Sequence, residues 1–591
     1  MGFMRRSRRF AAVRTGRRAS YREGLSFGAL SFVLSASLST VSSILSSRLY
    51  GVGVIGEYAL AVGAVAYVRL MSTAKERPAL IRELATLEPR VPRIGGLFFA
   101  VLTFSVVLTW LVSGLALGIV HFMLSGPVAR PGLFLPLAVN VAGYALLGNT
   151  TDNLEVVAQG FRAGRMLFLC RVTDGLTFLL IAVPLGLTHG TVWGLIIASV
   201  GSQFIGVVHR AFRIRAFMRF RTPREELAAG FKTLPGLIRF GLKITPGALA
   251  DGAANESGTW LVASFNPIGV VGAYGRAYLL VKQFVLVQYG NEMLFPTLLE
   301  RRAKGDKAGH ARAVVDSLRY VAMGVLLFAA AGGGIAPAIM RVFGAGFVKG
   351  ANALAVLLVM PMLYMLSQMM RLALLAENRP WMWTILGIVR LVVTFGLGLV
   401  LAWKFGAVGA ASALVIGLAI DVAVCIPILV PHLDIPFLKL WPLRQMLVIP
   451  VAYAAAFAGG RLIDIVLPWE VALFVGAAAG CAIYIAVLWL GRALNERDRQ
   501  RYRDIRRRLS RRRSRLTGPI VVTARRYSEP LAGAGVIAPA FGLAAGISSL
   551  PSAPIFSSAR RTSSLNGAAV HDELASKNGS TAVPVDRAPT A

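Results

Sequence analysis

Long apolar runs separated by short polar stretches extend from Leu25 to Leu490. A run of about 20 residues is long enough to cross a hydrocarbon core of about 30 Å as an α-helix. Strands of a membrane barrel need only about ten residues and alternate strictly, which these runs do not. The pattern therefore predicts helical spans. We count fourteen, at residues 25–47, 51–72, 94–121, 132–158, 166–188, 190–211, 236–263, 268–297, 315–341, 351–376, 381–403, 406–431, 444–467 and 470–491.

The chain carries signs of an internal duplication. The stretch Gly53-Val54-Ile55-Gly56-Glu57-Tyr58 matches Gly269-Val270-Val271-Gly272-Ala273-Tyr274 at Gly, Gly and Tyr. Gly190 and Gly406 are separated by the same offset along the chain as Gly53 and Gly269. Six spans separate the members of each pair, and an even number preserves the direction of crossing. The sequence thus predicts two parallel six-helix lobes, with two extra helices after them.

This pattern divides the chain into segments of different character. They are a basic cytoplasmic N-terminus (1–24), a first lobe (25–212), a basic cytoplasmic connector (213–235), a second lobe (236–431), two additional helices (444–491), an arginine-rich cytoplasmic helix (492–517) and a disordered tail (518–591). The arginine-rich helix is expected either to lie on anionic lipid headgroups or to be a solvated tail. Residues 531–550 lack charge and are a candidate for a further span, although four glycines and Pro539 weaken it.

Composition fits a multi-pass membrane protein and places both termini in the cytoplasm. The 591 residues are 56% hydrophobic and 15% charged, with a mean hydropathy of +0.64. With the N-terminus inside, the inner connections carry 28 Lys and Arg and the outer ones 4, as the positive-inside rule requires. These loops and twelve arginines between Arg492 and Arg515 account for most of the net charge of +35. Nucleic acid is therefore not an expected partner, and the cell membrane is the expected location.

No motif of catalysis or cofactor binding is present in the sequence. It lacks GxxxxGK[ST], HExxH, GxSxG and any metal-spaced group of Cys or His. We therefore expect no enzyme activity, cofactor or metal. Candidate chemistry is confined to charged residues inside spans, which are costly in lipid and normally face protein or a wet cavity.

The seventh and eighth spans hold the clearest set of such charges. These two spans are predicted to form a hairpin with its turn at Pro267. Two residues equally far from the turn lie at the same depth in the membrane, and their numbers then sum to about 532. By this rule Glu256 is level with Arg276, and Asp251 is level with Lys282. One hypothesis is that these four residues line a substrate cavity, with Glu292 nearer the cytoplasm. The alternative is two ion pairs that only clamp the hairpin.

Further charges are predicted to have structural or gating roles. The turn at Arg162 puts Glu155 level with Arg171, and Asp152 level with Asp174. Arg371 and Arg390 occupy corresponding spans of the second lobe. Arg48, before the first glycine motif, is expected either to reach the outer interface or to contact an anionic ligand at the cavity rim.

Several stretches together resemble the multidrug/oligosaccharidyl-lipid/polysaccharide (MOP) exporter superfamily, and within it the O-antigen type of polysaccharide flippase. The resemblance covers residues 25–431. The matching stretches are SRLYGVGVIGEYALA from Ser47, GVVGAYGRAYLLVKQF from Gly269, MLFPTLLERRAKGD from Met293, FGAGFVKGANALAVLLVMP from Phe343, LALLAENRPWMWTILGIVRL from Leu372 and KFGAVGAASALVIG from Lys404. The two extra helices are similar to those of lipid II flippases, but the first span lacks an Arg-Asp pair, which favours another glycan.

The resemblance implies that two lobes rock around a V-shaped cavity. It implies export of an oligosaccharide on a polyprenyl (pyro)phosphate to the outer leaflet for cell-surface polysaccharide assembly, with a polymerase or glycosyltransferases as candidate partners. Arg276 and Lys282 suit an anionic phosphate. The alternatives are a drug or cation antiporter of the same superfamily and a non-transporting scaffold for glycan-assembly enzymes. An antiporter would need unpaired acids in the cavity.

Overall fold

The computed structural model describes residues 21–73, 76–84, 87–161, 163–242, 245–285, 298, 305–377, 379–434, 436 and 443–493. The first half of these residues forms eight helices. They are α1 (Tyr21–Met71), α2 (Glu76–Leu84), α3 (Pro92–Ser125), α4 (Phe134–Gly143), α5 (Asn149–Gly160), α6 (Gly164–Thr188), α7 (Val192–Ile214) and α8 (Arg224–Leu242). A π-helical turn at Tyr144–Gly148 joins α4 to α5, so the two make one crossing.

The second half continues the same pattern and adds a terminal hairpin. Its helices are α9 (Thr245–Phe265), α10 (Ile268–Val285), α11 (Lys307–Gly333), α12 (Ala336–Phe343), α13 (Ala351–Leu357), α14 (Met360–Ala376), α15 (Pro380–Leu433), α16 (Leu443–Val466) and α17 (Trp469–Leu490). A 3-10 segment, Ala345–Gly350, separates α12 from α13. The predicted arginine-rich helix lies outside the described residues after Ala493, as does the tail.

Each of the fourteen predicted spans has a helical counterpart. Ten segments of the described chain are long and apolar enough to cross a membrane. Two of these contain a glycine with non-helical dihedrals, Gly51 in α1 and Gly406 in α15, so each covers two predicted spans. Helices α9 and α10 fall outside those ten, but they lie where the seventh and eighth spans are predicted. The prediction of an all-α polytopic protein is confirmed.

The end of the ninth span differs from its prediction. Helix α11 ends at Gly333, not at residue 341, and the short helix α12 follows with Pro337 in its first turn. Consecutive glycines favour a helix end, and proline is accepted in the first turn of the next helix because it needs no intrahelical donor there. Hydropathy alone cannot detect this break, since the residues on both sides are apolar.

Two glycines at repeat-related positions share an unusual backbone angle. Gly190, between α6 and α7, and Gly406, within α15, have φ values of +54° and +58°. Both glycines thus precede the last span of a predicted lobe with a positive φ, which residues with a Cβ adopt reluctantly. The similar φ values at these two positions are consistent with the predicted duplication.

The repeated glycine motifs bring the two halves together. Helices α1 and α10 cross where Gly56 meets Gly272, and a Cβ at either position would lie 2.1 Å from a backbone oxygen of the other helix, that of Ile268 or of Val52. We call this end of the bundle the Gly51 end, because α1 kinks there at Gly51, and the opposite end the Arg210 end. The two halves are in direct backbone contact at the Gly51 end.

The remaining helices pack onto one half each. Helix α8, within the predicted connector, crosses α3 where a Cβ on Gly230 would lie 2.2 Å from the oxygen of Gly96. Helices α16 and α17 pack on α11, where Tyr484 Oη donates a hydrogen bond of 3.1 Å to the oxygen of Met323. Trp469 begins α17 and lies at the Gly51 end.

Candidate functional site

Arg276 is a buried cation on α10, one turn from the Gly56–Gly272 contact. It is 6% exposed. Its Nη1 and Nη2 each donate a hydrogen bond of 2.9 Å to a serine hydroxyl on α1, Ser43 and Ser46. Its Nε has no partner, and none of the described carboxylates lies within ion-pair distance of the guanidinium. A buried charge without a counterion is costly, so this position favours an anionic ligand.

A small cavity adjoins Arg276 between α1, α9 and α10. Its volume is about 90 Å³. It is lined by Ile55, Tyr58, Ala59, Val62, Gly63, Glu256, Thr259, Gly275, Arg276, Tyr278, Leu279 and Lys282. Three of the predicted cavity charges, Glu256, Arg276 and Lys282, are therefore brought together between the two halves. Binding pockets for small molecules are typically about 300–1,000 Å³, so this cavity must widen to hold a sugar.

The charge pairing inside the hairpin differs from the prediction. Lys282 Nζ lies 2.5 Å from Glu256 Oε1, so Glu256 pairs with Lys282 and not with Arg276. The Lys282 side chain is 49% exposed and that of Glu256 15%. The sum of residue numbers gives depth along a hairpin, but it contains no information on the direction in which each side chain points.

Asp251 lies outside this cavity and belongs to a second, buried cluster. It pairs with Arg371, and its Oδ1 lies 3.4 Å from Arg390 Nη1. Asp251 and Glu256 are five positions apart, which turns them about 140° from each other around α9. The predicted pairing of Asp251 with Lys282 is therefore wrong, because the two carboxylates of α9 face different neighbours.

The second-lobe cluster consists of Asp251, Arg371, Arg390 and Asp421. Arg371 Nη2 donates to Asp421 Oδ1 at 2.8 Å, and Asp421 also accepts a hydrogen bond from Ser367. The side chains of Arg371, Arg390 and Asp421 are fully buried, and that of Asp251 is 8% exposed. Two acids and two bases make the cluster neutral, as a group without solvent must be. Nothing in the sequence pattern singled out Asp421 as a member.

The first lobe holds a comparable cluster near the Arg210 end. Arg210 on α7 makes a bidentate contact with Asp174, at 2.8 Å and 2.6 Å, and its Nη2 lies 3.2 Å from Glu155 Oε1. Glu155 also lies 3.8 Å from Arg171 Nε, the partner that its depth predicts. Arg210 was missed by the sequence analysis because it lies near the predicted cytoplasmic end of a span, where arginine is common.

The two clusters carry charges of opposite sign at equivalent positions. Glu155 and Arg371 are related by the same offset as the repeated glycine motifs, and so are Asp174 and Arg390. In the first lobe these positions are acids around a central arginine, whereas in the second lobe they are bases around aspartates. Positions related by the offset of the predicted duplication thus carry charges of opposite sign in the two clusters.

Three further predicted residues lie apart from these sites. Asp152 does not join Asp174; it accepts bonds from Arg69 at 2.9 Å and Arg77 at 3.0 Å. Arg48 lies at the Gly51 end, where its Nε donates to the oxygen of Val342 at 2.9 Å, and it is not part of the Arg276 cavity. Glu292 lies outside the described residues.

The comparisons with known proteins address both fold and family. A family model described as polysaccharide biosynthesis protein matches residues 97–332. The lipid II flippase MurJ in an inward closed conformation aligns at 13% identity with a TM-score of 0.58, over 78% of this chain and 98% of the flippase. An inward-facing multidrug resistance MATE transporter of the MOP superfamily aligns at 16% identity with a TM-score of 0.52, over 68% and 94%.

The chain has the fold of the MOP exporter superfamily. Together with the polysaccharide family match, this confirms the resemblance drawn from the sequence. No curated protein matches the sequence significantly. The fold and the ten apolar segments fit a multi-pass membrane protein, and the Arg276 cavity lies between its two halves.

Proposed function

We propose that this MOP protein exports a lipid-linked anionic glycan by alternating access, with Arg276 as the contact for its phosphate. The observation that carries the proposal is the buried guanidinium of Arg276, which faces a cavity between the halves and has only hydroxyl partners among the described residues. A phosphate would supply the missing counterion through charge-assisted hydrogen bonds. The polysaccharide family match supports a glycan as cargo.

The direction of transport in this proposal follows from the charge of the connections. The positive-inside count assigns the Arg210 end to the cytoplasm and the Gly51 end to the outside. The halves touch at the Gly51 end, so substrate would enter the present conformation from the cytoplasmic side. Outward movement of an anion from a negative interior is favoured by about 2.3 kcal/mol per charge per 100 mV.

A drug or cation antiporter would use free carboxylates in the cavity to exchange cations. Glu256 is paired with Lys282, and Asp251 lies in the neutral second-lobe cluster. Among the described residues, the charge left without a counterion near the cavity is therefore positive. This favours an anionic cargo over a cationic drug.

Reconstituted vesicles test the proposal directly. A fluorescent oligosaccharide on polyprenyl pyrophosphate is added, and its transfer between leaflets is followed by accessibility to a quencher. We expect Arg276→Gln to slow transfer about tenfold to a hundredfold, since a hydrogen bond to a charged group contributes about 1.5–3 kcal/mol. The matched control is Arg312→Gln, which removes an exposed arginine whose Nε donates to the oxygen of Ala308 on its own helix.

Two outcomes would contradict the proposal. Full transfer by a folded Arg276→Gln variant would remove the phosphate contact. Electrogenic uptake of a cationic dye that is abolished by Glu256→Gln would favour the antiporter. Removal of the residues after Leu516 tests the scaffold alternative, because a transporter keeps its transfer activity in vesicles without this segment.

A further inference from the structure

A second cavity, larger than the Arg276 cavity, opens at the Gly51 end of the molecule. Its volume is about 740 Å³, within the range of small-molecule sites. Three parts of the chain form it: the kink of α1, the segment from α12 through the 3-10 turn, and the start of α17. Its polar lining comes chiefly from Arg48 and Arg341, and Trp469 forms another wall.

The charge of this cavity is uncompensated. Arg48 donates through Nε to the oxygen of Val342, which leaves both of its Nη groups for a ligand. Arg341 forms no ion pair with any residue that the structure describes, and no carboxylate is among the residues that line the cavity. Two guanidinium groups beside one cavity suit a phosphate or carboxylate, which they bind through paired N–H donors.

We propose that this cavity binds an acidic sugar, through its phosphate or carboxylate at Arg48 and Arg341, and that the bound sugar holds the Gly51 end closed. The indole of Trp469 offers the apolar face on which a sugar ring packs, with a polar edge toward water. The site lies at the opposite face of the Gly56–Gly272 contact from the Arg276 cavity. It is a second site, for a ligand arriving from the side where the proposed function releases its cargo.

Ligand binding in this cavity is coupled to closure of the Gly51 end because the two arginines come from different halves. Arg48 and Val52 are on α1 of the first half, whereas Arg341 and Gly346 belong to the second half. A ligand that contacts both arginines binds only when the halves meet at this end. By linkage, such a ligand shifts the equilibrium toward the closed conformation, in proportion to its preference for that state.

A cysteine pair can report closure at this site. A Cβ on Gly346 would lie 3.4 Å from the Cβ of Val52, near the separation of about 3.5–4.5 Å found in disulfides. The experiment uses Val52→Cys with Gly346→Cys in a chain whose native Cys170, Cys425 and Cys481 are replaced by alanine. The rate of disulfide formation under a mild oxidant is measured in nanodiscs of phosphatidylcholine.

Glucuronate and glucose 1-phosphate are the probes, with glucose as the uncharged control. We expect the two acids to raise the cross-linking rate at least about fivefold, the lower range of allosteric coupling, and glucose to leave it unchanged. Adding Arg48→Gln and Arg341→Gln to the cysteine variant should abolish the response to the acids. A measurable cross-linking rate without ligand then shows that this variant still folds and that its two cysteines still approach each other.

Each other result would overturn the proposal. An unchanged rate with both acids, or a response that survives loss of both arginines, removes the site. A response to phosphatidylglycerol in the nanodisc but not to the sugar acids assigns the cavity to a lipid headgroup instead. This inference rests on the proposed function for the assignment of the Gly51 end to the outside. The cross-linking assay does not require transport, so the sugar site and the proposed export function can fail independently.

Discussion

Gly56 and Gly272 occupy equivalent positions in the two halves and each leaves room for the backbone of the other helix. A Cβ on Gly56 would lie 2.1 Å from the oxygen of Ile268, and one on Gly272 would lie 2.1 Å from the oxygen of Val52. Such distances cannot be relieved by a side-chain rotation, because both obstacles are backbone atoms. The contact between the halves therefore depends on two glycines at repeat-related positions.

The first prediction concerns this contact. Gly56→Ala or Gly272→Ala should prevent the halves from meeting at the Gly51 end and shift the protein toward conformations open there. The cross-linking rate of the Val52→Cys/Gly346→Cys pair should fall about tenfold or more, since a shift of about 1.4 kcal/mol suffices for a factor of ten. Gly53→Ala is the matched control, because no atom lies within 4 Å of a Cβ there. Equal cross-linking in all three variants would refute this role of the glycines.

The second prediction concerns the buried second-lobe cluster. Arg371→Met leaves Asp251 and Asp421 buried without their shared cation and should lower the free energy of unfolding by about 3–5 kcal/mol. Unfolding in mixed micelles measures the loss. Arg461→Met is the comparison: its side chain is 44% exposed and its Nη1 lies 3.0 Å from Asp464 Oδ2, and such pairs contribute about 0–1 kcal/mol. Equal losses of unfolding free energy in the two variants would show that burial of the cluster does not determine its contribution to stability.

The third prediction separates backbone strain from steric overlap at the repeat glycines. Gly190→Ala should cost about 1–2 kcal/mol, the penalty for an L-residue in the left-handed region, because the nearest atom to its Cβ is 3.7 Å away. Gly406→Ala should cost more, since its Cβ would also lie 2.6 Å from Asn266 Oδ1. Gly118→Ala, inside α3 with no atom within 4 Å, should stabilise the helix slightly. A Gly406→Ala cost no larger than that of Gly190→Ala would contradict this distinction.

The fourth prediction addresses the cargo through Glu256. Glu256→Gln keeps the shape of the side chain and removes its charge. If the cargo phosphate binds to Arg276, the rate of glycan transfer should stay within about twofold of that of the unmodified protein. Glycan transfer in vesicles at several pH values measures this. A large loss would instead assign proton or cation exchange to this carboxylate, as the antiporter hypothesis requires.

Much of the site could be located from the sequence, but its pairing could not. The hypothesis of a cavity between the halves named Glu256, Arg276 and Lys282, which do line one small cavity, and the depth argument matched Glu155 with Arg171. It failed for Asp251 because position along a span says nothing about direction around the helix. It also missed Arg210 and Asp421, whose importance comes from neighbours on helices distant in sequence.

What the sequence determined by itself was the helical architecture. Span length, the constant offset between repeated motifs and the locations of charges inside spans can all be read along the chain, since hydrocarbon thickness and rise per residue fix how many apolar residues a crossing needs. The tertiary structure decided which charges neutralise one another. That choice depends on the rotation of each helix about its axis and on its neighbours in the bundle, which packing alone sets. In this packing Arg276 donates to two serine hydroxyls, and Asp251 pairs with Arg371 and Arg390.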